Sequence, residues 1–243
     1  MNRFITFLMV TLLIMGLIST ATAADKKITK EANFVQSDVR EQGNDSYRTV
    51  YQSAKKKADP MFGDYTIGLT GVYNTFALAI ADLKLNGLSA DVRLLVQDTY
   101  DVTILGEPLP ITFYGINTSG FKIIVTPELG KTAVIAGNHA TAVVRVDSQS
   151  NIIFDGFNGT SNYNLTIMNT GNAGASSRSL YLCGASQFNQ FKNMNFRSGA
   201  RATNYSNVHI SGFSSGGVQD CSFDNCKFFG NGEDNAEIMV SIS

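Results

Sequence analysis

Carboxylates are the side chains of this sequence that could do chemistry at a recognisable spacing. Asp220 and Asp224 are four residues apart, and Asp155 lies in the same frame of a repeated pattern upstream. Paired carboxylates serve as acid, base or nucleophile in glycoside cleavage. With Asp234 they could also offer oxygen ligands to Ca²⁺, although the sequence has no D-x-D clustering there. Exposed turn residues are the alternative, and because the sequence favours it we predict no catalytic constellation, metal site or cofactor.

Arginines and tyrosines form a second candidate group, in the C-terminal half of the chain. Guanidinium contacts and ring stacking could together line a sugar-binding groove. The residues concerned are Arg178, Tyr181, Arg197, Arg201 and Tyr205. The two histidines, His139 and His209, follow a Gly-Asn turn and alternate outward in a strand, respectively, so we expect both to face solvent.

The cysteines and the charge balance argue against two other kinds of site. Cys183, Cys221 and Cys226 are expected to be small buried residues, with a Cys221–Cys226 disulfide as the alternative if a turn brings them together. Their spacing lacks a second C-x-x-C or a histidine pair, which argues against zinc. Nineteen Lys and Arg against twenty Asp and Glu give a net charge of −1, so we expect no nucleic-acid partner.

The first residues predict export from the cytoplasm. A basic start at Arg3 precedes an apolar run over residues 4–18, and Ala21 and Ala23 lie three and one residues before a cut at Ala24. Residues 1–23 are therefore predicted to be a signal peptide, with a retained membrane anchor as the alternative. Residues 24–62 are predicted to be a polar leader or linker. No later stretch is apolar enough to span a bilayer, so the secreted chain should not insert stably in a membrane.

One helix and many short strands are predicted after the leader. The helix has Asn74 or Thr75 as its N-cap, presents Phe76, Ile80 and Leu83 on one face, and stops at 86–87. Period-two alternation predicts strands over residues 91–96, 100–105, 111–114, 122–125 and 133–136, with no second helix beyond.

A weak internal repeat in the second half is the most informative feature for the fold. The segment 191–196 aligns with 223–228, an offset of 223 − 191 = 32, and Phe154 fits the same frame at 191 − 154 = 37. The preceding strands align too, with offsets of 36 and 28 between their first residues, Val144, Leu180 and Val208. A unit of this size cannot bury its apolar positions alone, whereas stacked coils can.

The repeat therefore predicts an all-β protein, a right-handed parallel β-helix over residues 63–243 with one N-terminal capping helix. The helix would cover the open edge of the first coil. Asn193 should stack over Asn225 as an amide ladder. An antiparallel β-sandwich with an accidental repeat is the alternative.

Residues 63–230 resemble the opening of large secreted β-helix proteins of Bacteroidetes, which are similar in fold to the pectin-lyase-like superfamily. The resemblance lies in coil-packing segments, namely residues 64–68, 73–83, 86–96, 132–137, 151–157 and 164–170. Many such proteins carry a C-terminal signal for type IX secretion. The chain has no such domain and finishes on an apolar strand, so we expect it to be the N-terminal portion of a longer protein, with an incomplete solenoid.

Two functions follow as expectations. The first is an extracellular or cell-surface solenoid with a structural, adhesive or glycan-binding role, whose partners would be extracellular polysaccharides or surface glycans. The second is a polysaccharide lyase or glycoside hydrolase, which rests on analogy of fold. Convergence of Asp155, Asp220 and Asp224 on one groove would favour the enzyme.

Overall fold

The structure is a computed structural model that describes residues 59–171, 178–198, 207–212, 217–230 and 240–242. The predicted signal peptide and most of the predicted leader lie outside these residues. The described chain contains one helix, α1 (Phe76–Asn86), and the following strands: β1 Met61–Ile67, β2 Leu88–Val96, β3 Ile111–Phe113, β4 Ile123–Pro127, β5 Ala133–Gly137, β6 Ala142–Asp147, β7 Ile152–Asp155, β8 Leu165–Asn169, β9 Arg178–Cys183, β10 Gln190–Lys192, β11 Asn195–Ser198, β12 Val208–Ser211, β13 Ser222–Asp224, β14 Lys227–Phe229 and β15 Val240–Ile242.

The strands form three parallel sheets that together make a β-helix. Sheet A has the order β1-β2-β4-β7-β10-β13, sheet B has the order β15-β12-β9-β6-β3, and sheet C has the order β14-β11-β8-β5. The chain passes from sheet A to sheet C to sheet B and returns to sheet A one coil further on. Every pairing between the described strands is parallel, which confirms the predicted fold class and makes the β-sandwich alternative wrong.

The register of the coils confirms the sequence repeat residue by residue. Phe191 pairs with Phe223 on one side and with Phe154 on the other. In sheet B, Leu180 pairs with Val144 and with Val208. The repeat is therefore the sequence record of coil stacking, and the changing offsets reflect loops of different length between the strands.

The interior is filled by inward side chains that stack from coil to coil. The rings of Phe154, Phe191 and Phe223 lie nearly parallel, with centroids 5.5 Å and 4.8 Å apart. Phe196 and Phe228 stack in the same way at 5.3 Å. Because strands alternate inward and outward with period two, the coils that contain β7, β10 and β13 place aromatic rings one over another, whereas Phe154 meets Val125 on the preceding coil.

The corners are made by residues in the left-handed conformation. Asn193 and Asn225 have φ of 55° and 51° at the corner between sheets A and C, a conformation that asparagine tolerates better than most residues. The Asn225 amide donates to Asn193 Oδ1 at 2.7 Å, and the Asn193 amide donates to Asp155 Oδ1 at 2.9 Å. The predicted asparagine ladder is confirmed, and it continues one coil further through Asp155.

Helix α1 begins at the predicted position. Thr75 is the N-cap and accepts a hydrogen bond from the amide of Leu78, and Phe76 and Leu83 are buried as predicted. A second cap comes from Glu107, which lies about thirty residues further along the sequence. The buried carboxylate of Glu107 accepts hydrogen bonds from the amides of Phe76 and Ala77 at 2.5 and 2.9 Å, and thereby satisfies donors that a helix start leaves free.

Tyr100 completes this cap, because its hydroxyl donates to Glu107 at 2.9 Å. Burial raises the pKa of Glu107, against the effect of its three hydrogen-bond donors. Burial and the neighbouring carboxylate also raise the pKa of Tyr100. Glu107 and Tyr100 therefore fasten α1 to the first coil.

The strand predicted over residues 100–105 is wrong. Asp101 Oδ1 accepts hydrogen bonds from the amides of Thr103 and Ile104, and its carbonyl accepts one from the amide of Leu105. This side-chain cap turns the chain, so that Val102 is buried while Ile104 is 76% exposed. A local aspartate cap offers the backbone an alternative to strand pairing, which alternation of apolar residues does not reveal.

Candidate functional site

The outer face of sheet B carries a row of chemically active side chains from consecutive coils. Arg145 on β6 pairs in register with Tyr181 on β9, which pairs with His209 on β12. The rings of Tyr181 and His209 are 5.1 Å apart. The guanidinium carbons of Arg145 and Arg178 lie 5.6 and 5.7 Å from the centroid of the Tyr181 ring. We call these four residues, Arg145, Arg178, Tyr181 and His209, the sheet B cluster.

The two arginines of the cluster differ in their charge partners. Arg145 forms an ion pair with Asp147 at 2.6 Å. Arg178 takes part in none of the ion pairs between described residues, which join Arg93 to Asp64, Lys131 to Asp98, Arg145 to Asp147 and Lys192 to Asp155. The cluster therefore holds one guanidinium whose charge no described carboxylate balances.

The pKa shifts of Arg178 and His209 agree with an unbalanced positive charge, whereas, against the effect of burial, Cys183 and Asp147 raise the pKa of Arg145. Burial lowers the pKa of Arg178, and the nearby tyrosine only partly opposes this. Burial lowers the pKa of His209 as well, and the positive charge of Arg178 adds to the effect. A negatively charged ligand would oppose both pKa shifts, because it would stabilise the charged forms of both side chains.

Several polar atoms near the cluster are buried and have no hydrogen-bond partner among the described residues. Arg145 Nε and His209 Nδ1 belong to the cluster itself, and Asn207 Oδ1 and Ser211 Oγ lie on or next to β12. A buried polar atom without a partner costs about 1–3 kcal/mol, so such atoms concentrated in one place are unusual in a purely structural surface.

The predicted arginine and tyrosine group is only partly brought together. Arg178 and Tyr181 lie in the sheet B cluster. Arg197 is on the outer face of sheet C, where its guanidinium lies 4.8 Å from the centroid of the Phe229 ring. Arg201 and Tyr205 lie outside the described residues. Of the five predicted binding residues, Arg178 and Tyr181 share a site and Arg197 belongs to a different face.

Arg145 and His209 are members of the cluster that the sequence analysis missed. The repeat offsets could have found them, because 145 + 36 = 181 and 181 + 28 = 209. His209 alternates outward as predicted, but it is half-buried against Tyr181 and therefore does not simply face solvent. His139 is a turn residue whose Nδ1 accepts hydrogen bonds from the amides of Thr141 and Ala142.

The candidate carboxylates are divided between a strand row and a corner. Asp155, Lys192 and Asp224 pair in one outward row of sheet A, with Lys192 in the middle. Asp155 and Asp224 are thus two strand spacings apart, about 9–10 Å along the sheet. Asp220 lies before β13, at a corner where φ is 51°. Asp234 lies outside the described residues.

Asp155 is held by three contacts to the turn after β7 and to the next coil. One of its oxygens accepts hydrogen bonds from the Asn193 side chain and the Phe157 amide, and the other forms an ion pair with Lys192 at 3.1 Å. These contacts are those of a corner that holds two coils together. Among the described residues, no group of three His, Cys, Asp or Glu side chains is arranged to hold a metal ion.

The three cysteines carry free thiols and differ in burial. Cys183 is buried, whereas Cys221 and Cys226 are half-buried in the coil of β13 and β14. Burial raises the pKa of all three thiols, and for Cys183 the neighbouring Arg145 opposes the rise. The prediction of small buried residues describes Cys183 fully and the other two in part.

Comparison with known proteins adds no family to this description. A scan against protein-family models and searches of curated proteins and of solved structures give no match to the chain. In the part of the chain that the structure describes, no helix is both long enough and apolar enough to cross a membrane.

Proposed function

We propose that the chain is an exported β-helix protein that binds acidic polysaccharide through the sheet B cluster, in a structural or adhesive role at the cell surface or outside the cell. The signal-peptide pattern of residues 1–23 supports export. The coil-packing segments support a relationship to secreted Bacteroidetes β-helix proteins and to the pectin-lyase-like superfamily. The observation that carries the binding function is the unbalanced charge of Arg178 beside Tyr181 and His209.

The stacking of arginine on tyrosine suits the recognition of carboxylates. A guanidinium that lies against an aromatic ring keeps its in-plane N–H groups free, and these form the fork that matches a carboxylate. Tyr181 has such a contact with Arg145 on the neighbouring coil and with Arg178 on its own strand. Arg178, which has no carboxylate partner among the described residues, would receive the carboxylate of a uronic acid residue, while Arg145 stays paired with Asp147 at 2.6 Å.

The orientation of the cluster also suits a polymer. Its residues come from strands of consecutive coils, so the row runs along the axis of the solenoid with one strand spacing of about 4.8 Å from coil to coil. An extended chain laid along this axis would meet one coil after another. A rigid solenoid supports such contact at low entropic cost, because its surface is preorganised.

The test uses protein collected from the culture medium, whose first residue is expected to be Ala24. Binding of polygalacturonate is measured by isothermal titration calorimetry for the wild type and for Arg178→Ala. Loss of a guanidinium–carboxylate contact should raise Kd at least about tenfold. Arg178→Lys should fall between the two, because lysine keeps the charge and loses the planar fork.

Lys131→Ala is the matched control, since it removes one exposed cation that pairs with Asp98 and lies in the turn between β4 and β5, outside sheet B. It should bind as the wild type does. Equal affinity of Arg178→Ala and Lys131→Ala, with circular dichroism showing both folded, would refute the assignment of the site. No binding to polygalacturonate or to alginate by the wild type would refute the function.

Cleavage of polysaccharide is the second candidate function, and the row Asp155, Lys192 and Asp224 favours it. Two carboxylates on one face, with an ammonium on the coil between them, are the kind of group that lyases and hydrolases need. The same incubations are assayed for new reducing ends and for unsaturated products. Turnover that Asp224→Asn abolishes would establish the enzyme, and intact polymer after prolonged incubation would leave binding as the function.

A further inference from the structure

The outer face of sheet A has a groove whose chemistry is the reverse of the sheet B cluster. Its cavity volume is 490 Å³, within the range of small-ligand sites. The groove follows strands β1, β2, β4, β7 and β10, which are five neighbours in the sheet. Four strand spacings give it a length of about 19 Å along the solenoid axis.

The floor of the groove is apolar because outward positions of three central strands carry aliphatic side chains. Leu95 lies on β2, Ile124 on β4 and Ile153 on β7, and Ile124 and Ile153 pair directly. Outward positions of a solenoid normally carry polar side chains, so three aliphatic residues in one place are unusual. Ile153 is buried, and Leu95 and Ile124 are half-buried, so the apolar surface that stays open on the floor is that of Leu95 and Ile124.

Two exposed apolar side chains form one wall of the groove. Leu129 is 77% exposed and Phe157 is 44% exposed, and they come from the turns that follow β4 and β7. Gly159 supports this arrangement: a Cβ there would lie 2.3 Å from Leu129 Cδ1, and its φ of +88° also favours glycine. The turn is thus built to let Leu129 lie close against it.

The charges that line the groove are balanced within the protein. Asp64 pairs with Arg93 at 3.2 Å on the side of β1, and Asp155 pairs with Lys192 at 3.1 Å on the side of β10. Each charged group lining the groove therefore has an opposite partner. An anionic or cationic ligand would have to break one of these pairs, whereas a neutral ligand with hydroxyl groups could hydrogen-bond to both.

We propose that this groove binds a neutral, β-linked polysaccharide chain, lying along the solenoid axis with the apolar faces of its sugar rings against Ile124, Ile153 and Phe157 and its hydroxyls toward the two ion pairs. A flat apolar floor with polar ends matches a ribbon-like glucan, mannan or xylan chain, which has apolar ring faces and hydroxylated edges. This site is separate from the sheet B cluster, and the inference does not depend on the acidic ligand proposed there.

The probes are cellohexaose, mannohexaose and xylohexaose, titrated by calorimetry into the wild type, Phe157→Ala and Ile124→Lys. Binding of at least one of the three is expected. Phe157→Ala should weaken it about tenfold, because an aromatic wall is lost. Ile124→Lys should abolish it by placing an unpaired charge on the floor. Ile104→Ala is the matched control, since it removes an exposed aliphatic side chain that does not line the groove.

The outcomes separate this proposal from the proposed function. Binding of none of the three probes by the wild type would overturn it, as would equal affinity of Phe157→Ala and Ile104→Ala. Polygalacturonate binding serves as the second readout: it should be unchanged in Phe157→Ala and weakened in Arg178→Ala. Loss of both ligands in Phe157→Ala with native circular dichroism would mean one shared site and would also overturn the proposal.

Discussion

The outer faces of sheets A and B share one interior and yet differ in chemistry. Sheet A carries aliphatic side chains between two internal ion pairs, so the charges that line its groove cancel. Sheet B carries Arg178 without a carboxylate partner among the described residues, next to Tyr181 and His209. The inward residues of both sheets are the same kind of apolar stack. The outward residues of a solenoid strand can therefore vary while its inward residues keep packing the core, because alternate positions belong to the core and to the surface.

The largest effect is expected for a substitution in the interior that sheets A and B share, because loss of folding should impair ligand binding at both faces. Phe191 is fully buried and stacks between Phe154 and Phe223. Phe191→Ala should lower the free energy of unfolding by about 3–5 kcal/mol, since it leaves a cavity between two coils. Denaturant titration measures the loss, and both ligands should bind only to the fraction that stays folded.

Phe223→Ala is the control for this prediction, because Phe223 is half-buried and packs on the same stack from one coil further along. It should cost about 1–2 kcal/mol, in proportion to the smaller area removed from water. Equal losses for the two variants would contradict the view that the stack is anchored in its middle coils.

Salt concentration should have an effect of intermediate size, and it should differ between the two faces. Raising the salt concentration from about 0.1 M to about 1 M shortens the Debye length from about 10 Å to about 3 Å and weakens attraction between exposed charges. Polygalacturonate binding to the sheet B cluster should fall several-fold, and binding of a neutral oligosaccharide to sheet A should change little. Calorimetry at two salt concentrations gives the Kd of each ligand. An equal loss of affinity for both ligands would contradict the proposed difference in charge between the two faces.

The smallest effect is the response of the sheet B cluster to pH. The pKa of His209 is lowered in the folded protein, by burial and by Arg178, so the unfolded chain binds the proton more readily. Stability that depends on neutral His209 is therefore present above the ordinary histidine pKa and is lost as pH falls through the lower, folded value. His209→Gln should flatten this part of the stability profile.

An acidic ligand should act on His209 in the opposite direction. A carboxylate beside the ring stabilises the imidazolium, so polygalacturonate binding should take up protons and strengthen by a few-fold as pH falls from 7 toward 5. Tyr181 and Arg178 are the neighbours that face the same ring. Calorimetry in two buffers of different ionisation enthalpy measures the predicted proton uptake. A pH-independent Kd would show that His209 does not take part in the binding site.

Much of the fold could be predicted because the signals are local or recur from coil to coil. Thr75 caps α1 as its sequence context predicts, and the pairing of Phe154, Phe191 and Phe223 follows from the repeat. The strand predicted over residues 100–105 failed because one aspartate side chain outweighed the alternation of apolar residues. The cap by Glu107 could not be predicted, since it joins residues about thirty positions apart through an irregular loop.

The candidate sites were predictable to different degrees. The offsets of the repeat place Arg145, Tyr181 and His209 in one row, so the sequence already contained most of the sheet B cluster. The wall of the sheet A groove depends on turns of unequal length after β4 and β7, which carry Leu129 and Phe157. Turns that differ from coil to coil leave no periodic signal.

The sequence by itself determined the coil, its inward residues and the order of its corners, because these depend on a period of two and on a repeat of about thirty residues. Only the tertiary structure decided which outward charges cancel and which do not. Arg93, Arg145 and Lys192 find carboxylates on the same or a neighbouring strand, and Arg178 finds none among the described residues. Charge pairing is settled by side-chain positions in space, which the stacking of coils fixes and composition does not reveal.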